Sequence, residues 1–169
     1  MRAGRRRGYG RRVIHARRAV VADAPEVARL RSVMLAAVHG ADGAAPGPWV
    51  EATVARLRQW ADDPDVAIMV VDRTGGLAAC AVGTIEHTLG DPHNPEGLRG
   101  RIFNVATDPE HRRRGHARAC LAALLAWFDA RCVPMVDLNA TAEGEPLYRD
   151  LGFVTRTVPA MRRARPTHT

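Results

Sequence analysis

Apolar residues recur along this chain at two spacings, near two and near 3.6 residues, and the alternation of the two defines its elements. Val13–Val21 reads as a first strand. Asp23-Ala-Pro-Glu26 has the form of a capping box, and Val27, Leu30, Met34 and Ala37 behind it follow helical spacing to about His39. Gly40–Pro48, rich in Gly and Pro, is a loop. Val50, Val54, Leu57 and Ala61 mark a second helix, stopped by Asp62-Asp-Pro64. Val66–Asp72 and Leu77–Thr88 are strands joined by the turn Thr74-Gly-Gly76, and Leu89–Gly100 is a loop.

Arg101–Thr107 is a further strand, and Ala117, Leu121, Leu124, Leu125 and Phe128 form one apolar stripe on a helix that starts near Gly115. Met135–Asn139 reads as a strand, Glu143–Leu151 as a short helix closed by Gly152, and Phe153–Val158 with Met161–Arg163 as a terminal hairpin. The order β α α β β β α β α β(β) predicts an α/β fold. Its mixed, mostly antiparallel twisted sheet has about six or seven strands, flanked by about four helices. Residues 1–12 read as a basic, disordered leader and 13–169 as one folded domain.

Charge changes this picture less than its total suggests. The formal charge is +7, but residues 1–18 hold eight arginines and no acid, so taking +8 from +7 leaves −1 for the rest. All 25 basic residues are arginine. A nucleic-acid partner is therefore not expected from the body of the chain, although an arginine-rich leader is a feature that can contact RNA. No apolar run approaches the roughly 20 residues of a membrane span, so a cytoplasmic protein without a membrane partner is the expectation. Cys80, Cys120 and Cys132 fit no metal-ligand spacing and read as buried, reduced thiols; no metal is expected.

The chemistry concentrates between Asn104 and Arg118. A strand runs into a Pro-containing turn, and Gly115 stands where a long amphipathic helix begins. Backbone N–H groups from about Arg113 to Arg118 are then left without acceptors at a positive helix end, which suits a pyrophosphate. Arg112, Arg113 and Arg114 add guanidinium forks. Near the C-terminus, Leu147 and Leu151 are four apart and face a core, so Tyr148 points about 100° away. Its phenol, with an ordinary pKa of ~10, can donate a proton to a thiolate, or simply sit at a seam with its hydroxyl wet. Trp49 either anchors its helix or lines an acceptor pocket.

Residues 101–153 resemble the GNAT superfamily of N-acetyltransferases. Its signature Arg/Gln-x-x-Gly-x-Gly/Ala is matched by Arg112 to Ala117, preceded by Pro109-Glu-His-Arg112; Leu147-Tyr148 with Leu151-Gly-Phe153 matches its second signature. The resemblance implies acetyl-CoA as co-substrate and direct transfer of its acetyl group to a primary amine. The acceptor it implies is a small molecule or a peptide; an acyl-CoA sensor of the same fold is the alternative, and a homodimer is left open. It implies that Val105, Ala106 and Thr107 present backbone to the pantetheine arm and that donors near Val105 stabilise the oxyanion. It further implies that Arg112, Arg113, Arg114, Gly115, His116 and Ala117 hold the pyrophosphate and that Tyr148 protonates the leaving sulfur. Thr141 stands where many relatives carry Asn, seven residues before the Tyr. For the base, Glu86 and His87 alternate on a strand so that one faces the site, and Asn104 is the residue that could orient a water.

Overall fold

The structure, a computed structural model, describes residues 14–157 and 159–164. Its contacts divide the chain into two compact units, Met1–Asn139 and Ala140–Thr169. The first unit holds a five-stranded sheet in the order of the sequence: β1 Arg17–Arg18, β2 Val66–Arg73, β3 Gly76–His87, β4 Leu98–Thr107 and β5 Val136–Leu138. Neighbours from β1 to β4 are antiparallel, and β5 runs parallel to β4. Three long helices complete the unit: α1 Ala24–His39, α2 Pro48–Trp60 and α3 His116–Ala130.

One face of the sheet packs against α1 and α2. Val27 and Leu30 of α1 and Leu57 of α2 lie over Ile68, Val70, Cys80, Val82 and Ala106, all buried. Phe103 joins this side, edge-on to Trp60 with ring centroids 6.0 Å apart. The other face carries α3, whose Cys120, Leu121, Leu124 and Phe128 are buried. Its closest approach is made possible by two glycines. A Cβ at Gly83 would fall 2.9 Å from the Phe128 ring, and one at Gly100 2.8 Å from it, so the ring lies where neighbouring strands have no side chains.

Several expectations are corrected. The described residues form five strands, not six or seven. The first strand is only Arg17–Arg18, since Val21–Asp23 turns into a 3-10 helix; Val13 and the leader lie outside the described residues. Residues 153–157 and 159–164 form no strand, so the described part of the terminal hairpin is absent; Val158 lies outside the described residues. The capping box also fails. Asp23 takes the Val20 N–H and the Arg17 guanidinium, and Glu26 takes the Leu77 N–H and Arg29, so local and tertiary partners together outcompete the helix end. Cys80 and Cys120 are buried as expected, but Cys132 is exposed.

Candidate active site

The site begins with a defect in β4. Cys80 pairs with Ala106 and Val82 with Phe103, so Ala81 of β3 stands opposite two residues, Asn104 and Val105. This is a β-bulge, and Asn104 absorbs it in the left-handed region at φ 52°. Asn is among the residues that tolerate this region because its short amide bonds locally. Here the buried Asn104 side chain accepts from Arg31 Nη1 at 3.2 Å and reaches Cys80 Sγ at 3.7 Å.

On the other side of β4 the pairing with β5 covers only Gly100, Arg101 and Ile102. Among the described residues, no strand pairs with Phe103 to Thr107 on that side. The sheet therefore opens beside Val105, Ala106 and Thr107, and strand backbone there is available to a ligand.

Beyond the opening, Asp108 turns the chain. Its N–H donates to the Ala78 carbonyl at 2.8 Å, and its buried carboxylate accepts the Glu110 N–H and Arg29 Nη1, with Arg73 at 3.6 Å. Burial pushes this carboxyl up, but the Glu110 N–H and the Arg29 and Arg73 guanidiniums outweigh it and hold the group below its ordinary value. Arg29 in turn bonds Glu26 and the Leu77 carbonyl. The turn is thus fixed to α1 and to the start of β3 before any ligand arrives.

A short 3-10 turn, Pro109–His111, leads to the basic run. Arg113 has φ 61° and Gly115 φ 88°, so left-handed residues flank Arg114. Such alternation turns successive N–H groups toward one concavity, a nest for anions. The Ala119 N–H donates to the Gly115 carbonyl at 3.0 Å, opening the α3 ladder; the N–H groups of Gly115, His116 and Ala117 have no acceptor within the helix. Gly115 is needed for its backbone angle rather than for space, since a Cβ there would meet only Ile14 at an ordinary 3.6 Å. The three arginines of the corner, Arg112 to Arg114, are exposed. His116 lies edge-on to His111 at 5.8 Å, and its Nδ1 is buried without a hydrogen-bond partner. Desolvation, with His111 and Arg114 nearby, lowers its pKa, so its ring adds no charge to the corner at neutral pH.

The proposed base residues do not gather at this opening. Glu86 is exposed and stands opposite Arg99, five positions before Asn104 on β4, a strand distance of about 16 Å. His87 bonds Asp65 at 2.9 Å. Trp49 donates its indole N–H to the Ala45 carbonyl.

The second unit carries α4, Glu145–Asp150, with Thr141 and Tyr148. Thr141 opens the turn into this helix: its Oγ1 accepts the Gly144 N–H at 3.2 Å and its carbonyl the Glu145 N–H at 2.9 Å. The helix ends in a Schellman motif. Gly152, at φ 92°, donates to the Arg149 carbonyl, Phe153 donates to that of Tyr148, and the Tyr148 and Phe153 rings meet edge-on at 6.1 Å. Gly144 keeps its Cα side bare against the Tyr148 ring, where a Cβ would lie 3.0 Å away. Half-burial in this nest desolvates the phenol and raises its pKa. Among the described residues no three His, Cys, Asp or Glu groups gather to hold a metal, and no helix is long and apolar enough to cross a membrane.

Sequence reasoning missed two participants. Arg29 and Arg31 both belong to α1, and Arg31 occupies a place four after Val27 and three before Met34, within the apolar stripe. An arginine inside such a stripe is the signal that could have been read.

The α/β sheet opens along one strand and leads into a helix whose first N–H groups lack intrahelical acceptors. The chain belongs to the acetyltransferase (GNAT) family, whose model matches residues 34–153. No curated protein matches it significantly. Among solved structures it is similar to a GCN5-related N-acetyltransferase from Ralstonia eutropha, with 25% identity and a TM-score of 0.74 over 89% of this chain and 99% of that one. It also resembles a predicted acetyltransferase from Clostridium acetobutylicum solved with acetyl-CoA, at 19% identity and TM-score 0.76, covering 89% and 96%. Glucosamine-6-phosphate N-acetyltransferase from Arabidopsis thaliana shares the fold at 17% identity and TM-score 0.70, covering 89% and 98%.

Proposed function

We propose that this chain is an N-acetyltransferase that moves an acetyl group directly from acetyl-CoA to a primary amine. The observation that carries the reading is the left-handed corner at Arg113 and Gly115, placed one turn after the open stretch of β4. The N–H groups from Arg113 to Ala117 hold the pyrophosphate there, with Arg112, Arg113 and Arg114 supplying charge. Val105, Ala106 and Thr107 bond the pantetheine arm through strand backbone, and donors near Val105 steady the developing oxyanion. Thr141 supplies a hydroxyl whose oxygen already anchors its own turn, leaving its proton for a pantetheine amide.

Tyr148 delivers the proton to the departing sulfur. Its raised pKa keeps the phenol protonated throughout the neutral range, the form an acid needs. Asn104 acts by shaping the backbone, because its side chain is already committed to Arg31 and Cys80. The amine proton leaves through water, and Glu86, offset along the sheet, serves as its sink rather than as a base in contact. Burial pushes the Cys80 thiol well above its usual range, so it stays protonated and is not the nucleophile.

Calorimetric titration with acetyl-CoA is expected to show binding at about micromolar to submillimolar concentration. Thiol release should then appear with some members of a primary-amine panel. Binding without thiol release for any amine would leave an acyl-CoA sensor instead.

A further inference from the structure

Arg31 is not one of the ion-paired arginines of the first unit. Arg17, Arg29, Arg73, Arg99 and Arg131 each stand against a carboxylate. Arg31 is half-buried on α1, and its hydrogen bond goes to a neutral amide oxygen, that of Asn104. Among the described residues no carboxylate forms an ion pair with it. A guanidinium partly withdrawn from water and matched only by a neutral acceptor retains an unmet attraction for an anion.

Its place gives that attraction a use. The bond to Asn104 sets Arg31 over the bulge where β4 begins to open. Charges on the same face of the sheet follow from register, since directly paired residues share a face. Val82 and Phe103 face α1 and α2, so Thr84 with Arg101 and Glu86 with Arg99 do as well. Arg101 is two residues from Phe103, Arg99 is turned toward Asp91 at 3.8 Å, and Glu86 lies farther along with Arg99. Asp137 of β5 lies in register beside Arg101, so of the cations on this face Arg31 is the one set at the bulge itself.

We infer that Arg31 selects an acceptor amine bearing an anionic group, a carboxylate or a phosphate, by pairing with that group beside the β4 bulge. The inference rests on the acetyltransferase reading and names its acceptor class.

The test measures kcat and KM by thiol release, using matched acceptors that differ in charge alone. Amino acids are compared with their amides, and 2-aminoethyl phosphate with ethanolamine; spermidine represents the polycations. The wild type should favour the anionic member of at least one pair by about tenfold or more in kcat/KM, the size of effect expected for one partly desolvated charge pair. The pair that shows the preference distinguishes carboxylate from phosphate. Arg31→Gln keeps a donor toward Asn104 but no charge, and it should erase the preference, through KM of the acceptor, while acetyl-CoA affinity is unchanged. Arg31→Lys should keep part of it. Preference for neutral or cationic acceptors in the wild type overturns the inference without any variant, as does a preference that survives Arg31→Gln or transfer to no anionic amine. If calorimetry shows no binding of acetyl-CoA, the acetyltransferase reading itself fails and this inference falls with it.

Discussion

The two halves of β4 are one strand with two fates. Up to Ile102 it pairs with β3, and from Gly100 to Ile102 with β5 as well, and Gly100 lies under the Phe128 ring. From Phe103 to Thr107 it keeps β3 alone, bulges at Asn104 and hands the chain to Asp108. The closed half is shaped by packing, with glycines where a helix must come close. The open half is shaped by hydrogen bonds and left-handed residues that leave backbone available. Stability and ligand binding should accordingly separate along this one strand.

The strongest strain on that division is Phe128→Ala. Emptying the contact between α3 and the two glycines should cost about 3–5 kcal/mol in chemical denaturation. The folded fraction should bind acetyl-CoA much as before; a parallel loss of affinity would show the halves to be one unit. Tyr148→Phe addresses the opposite quantity. Turnover should fall about 100-fold, the range of a lost general acid, with acetyl-CoA affinity little altered. An unchanged rate removes Tyr148 from the chemistry.

Asp108→Asn probes the end of the open half. Losing a buried, charge-assisted acceptor of the Glu110 N–H and Arg29 should cost about 2 kcal/mol at pH 7. Because the native carboxyl titrates below its ordinary value, its contribution is complete above the unfolded pKa of ~3.9 and disappears as pH falls through the lower native one. Urea midpoints of wild type and variant should therefore converge in acid. A gap that persists at the lowest pH would assign the effect to packing instead. The smallest effect is expected at Gly115→Ala, where a left-handed residue with a Cβ costs about 1–2 kcal/mol. Acetyl-CoA binding should weaken roughly tenfold, and an unaltered dissociation constant would separate the corner from the ligand.

What could be read in advance was local. Gly115 ahead of an apolar stripe announced the start of α3, and Gly152 after Leu151 announced the end of α4, because helix ends are decided within a few residues. The turn Thr74-Gly-Gly76 was equally plain. The bulge was hidden, since it exists only through the count of residues between Cys80 and Val82 against those between Phe103 and Ala106. The offset of Glu86 was hidden for the same reason: its distance from Asn104 is a matter of register, which alternation alone does not fix. Asp23 and Glu26 had the spacing of a cap, but Arg17 on β1 and the Leu77 N–H on β3, with Arg29 one turn along the helix, claimed them. Arg31 could have been noticed as a charge in a greasy row, yet its partner Asn104 is 73 residues away.

The bulge at Asn104 has one more consequence, for the solubility of the protein between encounters with its ligand. A bare strand margin invites stray chains to add themselves, which is how sheets seed aggregates. This margin is five residues long, and a left-handed kink twists it out of line near its start. The same irregularity that opens the strand beside Val105 makes it a poor template for another β-strand.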